Sequence, residues 1–452
     1  MRDRDEGPIP SPRRSWRPCW VLAPVIAIAV VVSSCSSRLI PQPSVSADLD
    51  VAPAEDRVDL ALPTFSHPTE ITNPLFPISR QASVLMLGEV DGLPFRTEVT
   101  LLDETRIIEW EGVRVEVAVS QYTAYLDGRI TEVALDLYAQ ADDGSVWYFG
   151  EDVFDFRDGA IVVTEGTWLA GRDGPAAMIM PANPQVGDVY RPENAPGFVF
   201  EEVTVAAVGQ AVDGPLGRIE GAMTADELHS DGSHEEKIFA PGYGEFLTGG
   251  SGDVEALALA VPTDAASESL PADLATLAES ALAVIDEAQS EDWAAASARV
   301  ARITEAWQRY VGGDIPRIIE PLLDDAVLAL GNAVDAQDPE AAVRAIAVAR
   351  LAFDLQLRHR PVVEVDIARL DLWAAQLILD VAADDQAGFR ADAFALDIIR
   401  DRIVPALDTS DRVAVNIELG ELQVAVADDE MEAGPEAAGR LREILAGLQP
   451  AS

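Results

Sequence analysis

The stretch Arg114-Val115-Glu116-Val117-Ala118-Val119-Ser120-Gln121-Tyr122, followed by Asp127-Gly128 and then Ile130-Thr131-Glu132-Val133-Ala134-Leu135-Asp136-Leu137-Tyr138, decides how the first half of the chain is read. β-Branched and aromatic residues alternate with polar ones at a period of two, the pattern of a strand with one covered face. Asp-Gly between two such runs accepts the positive φ angles of a two-residue hairpin turn. The same punctuation recurs at Asp91-Gly92, Asp143-Gly144, Asp158-Gly159, Asp173-Gly174, Asp213-Gly214 and Asp231-Gly232, and alternation returns over Phe198–Val208. An antiparallel β-meander is therefore expected over residues 73–260, and roughly ten strands of this kind curl into a barrel or half-barrel. Trp147 and Phe149 fall on one face of their strand and Val146 and Tyr148 on the other, so that strand reads as covered on both sides.

Residues 261–270 read as a linker, and beyond them the period changes to that of helices. Leu274, Leu277, Ala281 and Ile285 recur at three and four, as do Trp293, Ala296, Val300, Ile303 and Trp307. Asp338-Pro339-Glu340 has a capping side chain and then Pro in the first turn of a further helix. Segments around Ala288, Ala336, Ala382 and Ala425 align at offsets of 48, 46 and 43 residues, which implies about four αα-hairpins in residues 271–450. The fold class is thus α+β and multi-domain, an N-terminal meander followed by an all-α helical-hairpin repeat or paired bundles. Arg358-His359-Arg360 complements a helix C-terminus or receives an acidic partner.

At the start of the chain Arg13, Arg14 and Arg17 precede an uncharged apolar run from Trp20 to Val32, the length of a secretory h-region. Val32-Ser33-Ser34-Cys35 follows directly and resembles the bacterial lipobox. The resemblance implies a signal peptide over residues 1–34 and a diacylglyceryl group on Cys35, placing the chain outside the cytoplasm on a bacterial membrane. Two acyl chains anchor firmly without help from a basic patch. Residues 35–72, rich in Ser, Pro and Asp, read as a flexible tether.

The chain has 452 residues and sets 32 Lys and Arg against 78 Asp and Glu, a net charge of −46, which argues against nucleic acid as a partner. GxSxG, the phosphate-binding GxxxxGK[ST], GxGxxG and HExxH are all missing, so no catalytic residue is assigned and the expected role is non-enzymatic binding or interaction. Three forms of it stand open: docking of an envelope protein on the helices, carriage of an apolar or lipid ligand in the meander, and divalent-metal binding. The metal reading rests on Glu227-Leu228-His229-Ser230-Asp231-Gly232-Ser233-His234-Glu235-Glu236. A two-residue turn at Asp231-Gly232 pairs His229 with His234 and Glu227 with Glu236 on one face, a donor set for Zn²⁺, Cu²⁺ or Ni²⁺. No other cofactor is expected.

Two further segments carry resemblances. Val146-Trp147-Tyr148-Phe149-Gly150-Glu151-Asp152, with Met180-Pro181-Ala182-Asn183-Pro184-Gln185-Val186-Gly187-Asp188-Val189-Tyr190-Arg191, resembles a group of exported bacterial proteins of uncharacterised function. Lys237-Ile238-Phe239-Ala240-Pro241-Gly242-Tyr243-Gly244-Glu245-Phe246 is similar to a strand-turn-strand element of envelope lipoproteins with curved sheets. Some of those carry lipids, which favours the carrier by analogy alone.

Overall fold

Fourteen strands form one antiparallel sheet. The first six are β1 (Ser83–Val90), β2 (Leu93–Trp110), β3 (Val113–Leu126), β4 (Arg129–Gln140), β5 (Val146–Arg157) and β6 (Ala160–Val163). Two short strands follow, β7 (Trp168–Leu169) and β8 (Ala177–Met180). The last six are β9 (Val189–Ala195), β10 (Val199–Gly214), β11 (Gly217–His229), β12 (His234–Ala240), β13 (Gly244–Gly250) and β14 (Asp253–Val261). The computed structural model describes residues 40, 49–164, 166–197, 199–250 and 253–448; the signal segment, Cys35 and the first part of the tether lie outside the described residues.

Turn chemistry sets the register of the first meander. Both residues of Asp91-Gly92, Asp127-Gly128 and Asp158-Gly159 have positive φ, as do those of Glu111-Gly112, and each pair closes a two-residue hairpin. β9 to β14 form a second meander, and the two join where β1 pairs with β14, Ser83 opposite Val261. Thr248-Gly249-Gly250 is the end of β13.

The expected barrel does not close. β6 and β9 are the two ends of the strand order, and no pairing joins them among the described residues. β7 and β8 lie between them in the chain but pair only with β5. Pro175, Pro181 and Pro184 interrupt this segment and deny it the backbone donors that a second ladder needs. The sheet is therefore open, and its two ends approach each other, with β9 against β5 and β8 and with Tyr148 and Tyr190 in one core. β5 is buried on both faces although it is next to an edge: Trp147 and Phe149 pack on Trp110, while Tyr148 stacks on Tyr138.

Eight helices follow: α1 (Ala272–Gln289), α2 (Trp293–Tyr310), α3 (Ile319–Asp335), α4 (Ala341–Gln356), α5 (Val362–Ala382), α6 (Gln386–Ile403), α7 (Thr409–Ala427) and α8 (Gly434–Leu445). They make four hairpins, each turning through one residue of positive φ: Glu291, Gln337, Asp384 and Asp429. Beyond each of these, a backbone N–H returns to a carbonyl of the preceding helix, Asp292 to Glu287, Asp338 to Ala333, Asp385 to Asp380 and Glu430 to Ala425. These bonds satisfy carbonyls that a helix end leaves open. Asp292 and Asp385 then cap the next helix by accepting from the N–H of Ala295 and Gly388. α1 packs on both α2 and α4, and α5 on both α6 and α8, so the hairpins assemble as two adjoining four-helix groups. Among the described residues, no helix is long and apolar enough to cross a membrane.

Residues 262–271 connect sheet and helices without separating them. Leu85, Leu87 and Leu259 of the sheet share a core with Leu274, Leu277 and Leu355, and Tyr125 stacks on Trp373 with ring centroids 5.3 Å apart. A balanced charge cluster is buried in the same joint. Arg96 of β2 grips Asp354 of α4 with two 2.7 Å bonds, Arg402 of α6 reaches Glu98 at 2.6 Å, and Arg369 of α5 bonds Asp354 and Asp366 at 2.8 and 3.0 Å. Arg358 and His359 face the connector rather than a helix end, with Arg358 donating to Asp264 O at 3.0 Å and His359 Nδ1 lying 3.1 Å from Glu268 O.

The tether reading is corrected over residues 49–72. Val58 N donates to Val189 O at 2.9 Å, Ala52 N donates to Glu202 Oε1 at 2.7 Å, and Asp59 accepts from both Arg57 and the N–H of Arg191. Ile71 is fully buried. Leu62, Phe65 and Ile71 join the aromatic core beneath β5 although the intervening prolines leave them no period.

Candidate functional site

The concave face of the curled sheet is built from rows of directly paired residues, which share a face by the period of the strand. One row runs Glu193, Glu201, His229 across β9, β10 and β11. The next runs Tyr190, Val203, Glu227, Glu235 into β12. A third runs Val205, Ala225, Lys237, Thr248, Glu255 into β14. On the opposite arm, Ser120, Asp136 and Glu151 form a row across β3, β4 and β5, beside Ala118, Tyr138 and Tyr148.

Many carboxylates thus point into one hollow, and the physical consequence is a general resistance to ionisation. Burial, then the neighbouring Asp136 and Glu193, pushes Glu151 up. Burial, then Glu227 and Glu193, pushes Glu201 well above the carboxylate range. Glu255 rises to about 8 through burial and then Glu245, and Asp136 to about 7 chiefly through burial. Each proton retained spares the hollow one charge in a poorly solvated place.

The chain's single lysine enters this hollow. Lys237 Nζ lies 2.8 Å from Glu227 Oε2 and 3.9 Å from Glu245 Oε1. Burial alone would lower its pKa, but Glu227, Glu245 and Glu201 outweigh burial and hold it well above the ordinary value. It stands as a cation among these glutamates.

Beside it, Glu201, Glu227 and His229 each present a ligand atom, and the three atoms lie within 4.8 Å of one another. His229 Nδ1 is 3.6 Å from Glu201 Oε1, and Nε2 is 3.8 Å from Glu227 Oε2 and 3.6 Å from Glu235 Oε2. Ligands of a tetrahedral Zn²⁺ stand about 3.4 Å apart, given bonds of about 2.0–2.1 Å. One ion takes one nitrogen of His229, so the three ligand atoms, now within 4.8 Å, would have to draw together by up to about 1.4 Å. Glu227 is 1% exposed, so its carboxylate is shielded from competing water.

The hairpin expected to pair two histidines differs by one residue. Only Gly232 has positive φ; Asp231 does not, and the loop holds three residues, with His229 N donating to Ser233 O at 3.0 Å. Leu228 is therefore opposite His234, and Glu227 opposite Glu235. A one-residue shift turns a side chain to the other face. His234 faces outward, its Nδ1 2.8 Å from Asp226 Oδ2, and Glu236 lies on its side of the strand, opposite Asp226 and not Glu227.

Sequence reasoning had His229 and Glu227 but not Glu201 or Lys237. Both carried a signal. Glu201 has the parity of Val203 and Val205, an acid on the apolar side of an alternating strand, and Lys237 is the one lysine among 452 residues. No family model matches the chain, and no curated protein matches it either.

Proposed function

We propose that the chain is an envelope protein, lipid-anchored through Cys35, that binds a divalent metal ion without catalysing a reaction, using Glu201, Glu227 and His229 in the hollow of the half-barrel. The observation that carries this reading is the convergence of the three ligand atoms within 4.8 Å around a carboxylate that is itself buried. An imidazole with two carboxylates suits Zn²⁺, and Cu²⁺ and Ni²⁺ compete for the same donors. Calorimetry on the full chain with each metal tests it: one equivalent binds with a Kd below about 10 μM, and His229→Ala or Glu201→Gln weakens binding at least tenfold. Binding unaltered by either substitution would reject the site. The anchor is tested separately, since Cys35→Ala should move the protein from the membrane to the soluble fraction.

A second reading has its own observation. A groove of about 870 Å³ runs between α1, α4, α5 and α8, with Leu282, Ile367 and Leu445 in its wall and with Glu279, Asp286, Glu364, Asp371 and Glu443 outnumbering Arg360 and Arg442 beside them. This supports docking of an envelope partner that presents apolar and basic residues. An acyl-chain carrier is supported less, because the cavity in the sheet measures about 110 Å³ and is partly lined by carboxylates.

A further inference from the structure

The hollow has a second end at which Lys237 comes within ion-pairing distance of Glu245 but not of Asp136 or Glu255. There a cavity of about 110 Å³ is lined on one side by Val84, Met86, Val99 and Ile179, and on the other by Ser120, Asp136, Glu245 and Glu255. Glu245 already has Lys237 at 3.9 Å, but among the described residues no cation stands within ion-pairing distance of Asp136 or Glu255. Ser120 is 1% exposed, and its hydroxyl has no hydrogen-bond partner. Glu255 Oε1 has none either. A buried polar group left unpaired costs stability, and an occupant that donates to it removes that cost.

We propose that this cavity binds a small primary ammonium ion bearing a short apolar tail. The head has three N–H donors and no acceptor, matching carboxylates and the Ser120 hydroxyl in a lining that also holds Tyr122, Tyr138 and Tyr243. The tail meets the aliphatic wall, where a hydrated inorganic ion gains nothing. A quaternary ammonium has no donor to offer Ser120. A cavity of about 150 Å³ holds benzene, so an occupant here has roughly four or five heavy atoms. Lys237 shows the same chemistry within the same hollow: a primary ammonium held by glutamates at the end of an alkyl stem. Asp136, which accepts from Tyr148 Oη at 2.7 Å, is already fixed in place to receive it.

The probe is n-propylammonium chloride, titrated into the full chain by calorimetry at about pH 9, where Glu255 is ionised and an alkylammonium is still charged, with n-propanol as the neutral isostere and KCl as the inorganic cation. The expected result is saturable binding of n-propylammonium at least tenfold tighter than that of either control. Glu255→Gln should weaken it at least tenfold and Ser120→Ala several-fold, while His229→Ala leaves it unchanged and so separates this site from the metal centre. Should Glu255→Gln lose the wild-type circular dichroism spectrum, Met86→Phe, which fills the cavity from its apolar side, takes its place and should abolish binding. Equal binding of propanol or K⁺, no saturation by about 10 mM propylammonium, or full binding by the folded Glu255→Gln and Met86→Phe chains would overturn the proposal.

Discussion

Lys237 Nζ stands 2.8 Å from Glu227 Oε2, so the only lysine of the chain is paired with a carboxylate of the proposed metal site. An arriving divalent ion must share Glu227 with this cation, and a double positive charge about 4 Å from a single one is repelled by about 8 kcal/mol at an effective dielectric constant of about 20. Lys237→Met removes that repulsion and frees the Glu227 oxygen. Its affinity for Zn²⁺ should rise at least tenfold over wild type, measured by calorimetry at one pH and ionic strength. Unchanged or weaker binding would show that Glu227 is not a ligand.

The carboxylates of the hollow make folding stability fall with rising pH. Glu255 titrates at about 8 in the folded chain against an ordinary 4.5, through burial first and then Glu245, Glu132 and Glu235, with Lys237 opposing them. Glu132 and Asp136 are raised to about 7 in the same way. Between 4.5 and 8 the folded chain keeps a proton on Glu255 that the unfolded chain has released, so stability is fully present at the acid side of that window and is lost through it. Thermal unfolding should show a higher midpoint at about pH 5.5 than at about pH 8.5, and Glu255→Gln should narrow the difference. A midpoint that climbs across this range in the wild-type chain would contradict the assignment.

At the joint between sheet and helices, Asp354 is fully buried and receives Arg96 through two bonds and Arg369 through a third. Removing the carboxylate leaves Arg96 with Glu98 and Arg369 with Asp366, and gives the cluster one uncompensated positive charge in a place water does not reach. Asp354→Ala should therefore destabilise the fold by about 3–5 kcal/mol, read from the urea midpoint. Arg96→Met combined with Asp354→Leu should cost less than the single change, because both poles leave together. An Asp354→Ala midpoint within about 0.5 kcal/mol of wild type would mean that water reaches the cluster.

What the sequence displayed and what it concealed follow from the range of the interactions. Local turn chemistry was legible: Asp91-Gly92, Asp127-Gly128 and Asp158-Gly159 close two-residue hairpins, and Ala288, Ala336, Ala382 and Ala425 each lie within four residues before a turn between paired helices, though not at one fixed position. Asp231-Gly232 looked the same in sequence but lies in a three-residue loop, and that one residue moved His234 off the site. Asp213-Gly214 lies at the end of β10, pairing with Arg218 and Gly217, and neither residue has positive φ. The joint was not legible, because Arg96 and Asp354 are 258 residues apart and each alone resembles an ordinary charged residue. The packed course of residues 49–72 was hidden for the same reason: its partners, Val189, Arg191 and Glu202, belong to strands more than a hundred residues away.

The hairpin register makes a prediction that separates the observed site from the expected one. With Leu228 opposite His234, the imidazole of His234 faces away from His229 and pairs with Asp226, an exposed contact of little energetic weight. Glu236 lies on that same outward side, opposite Asp226. His234→Ala and Glu236→Gln should therefore each leave Zn²⁺ affinity within about twofold of wild type, whereas His229→Ala costs at least tenfold. Under the alternative pairing of His229 with His234, the two histidine variants would lose affinity alike. Equal losses in calorimetry would thus require a metal-induced slip of β12 by one residue, with Glu227 brought opposite Glu236. Unequal losses assign the ion to the concave face, where Glu201 and Glu227 already stand beside His229.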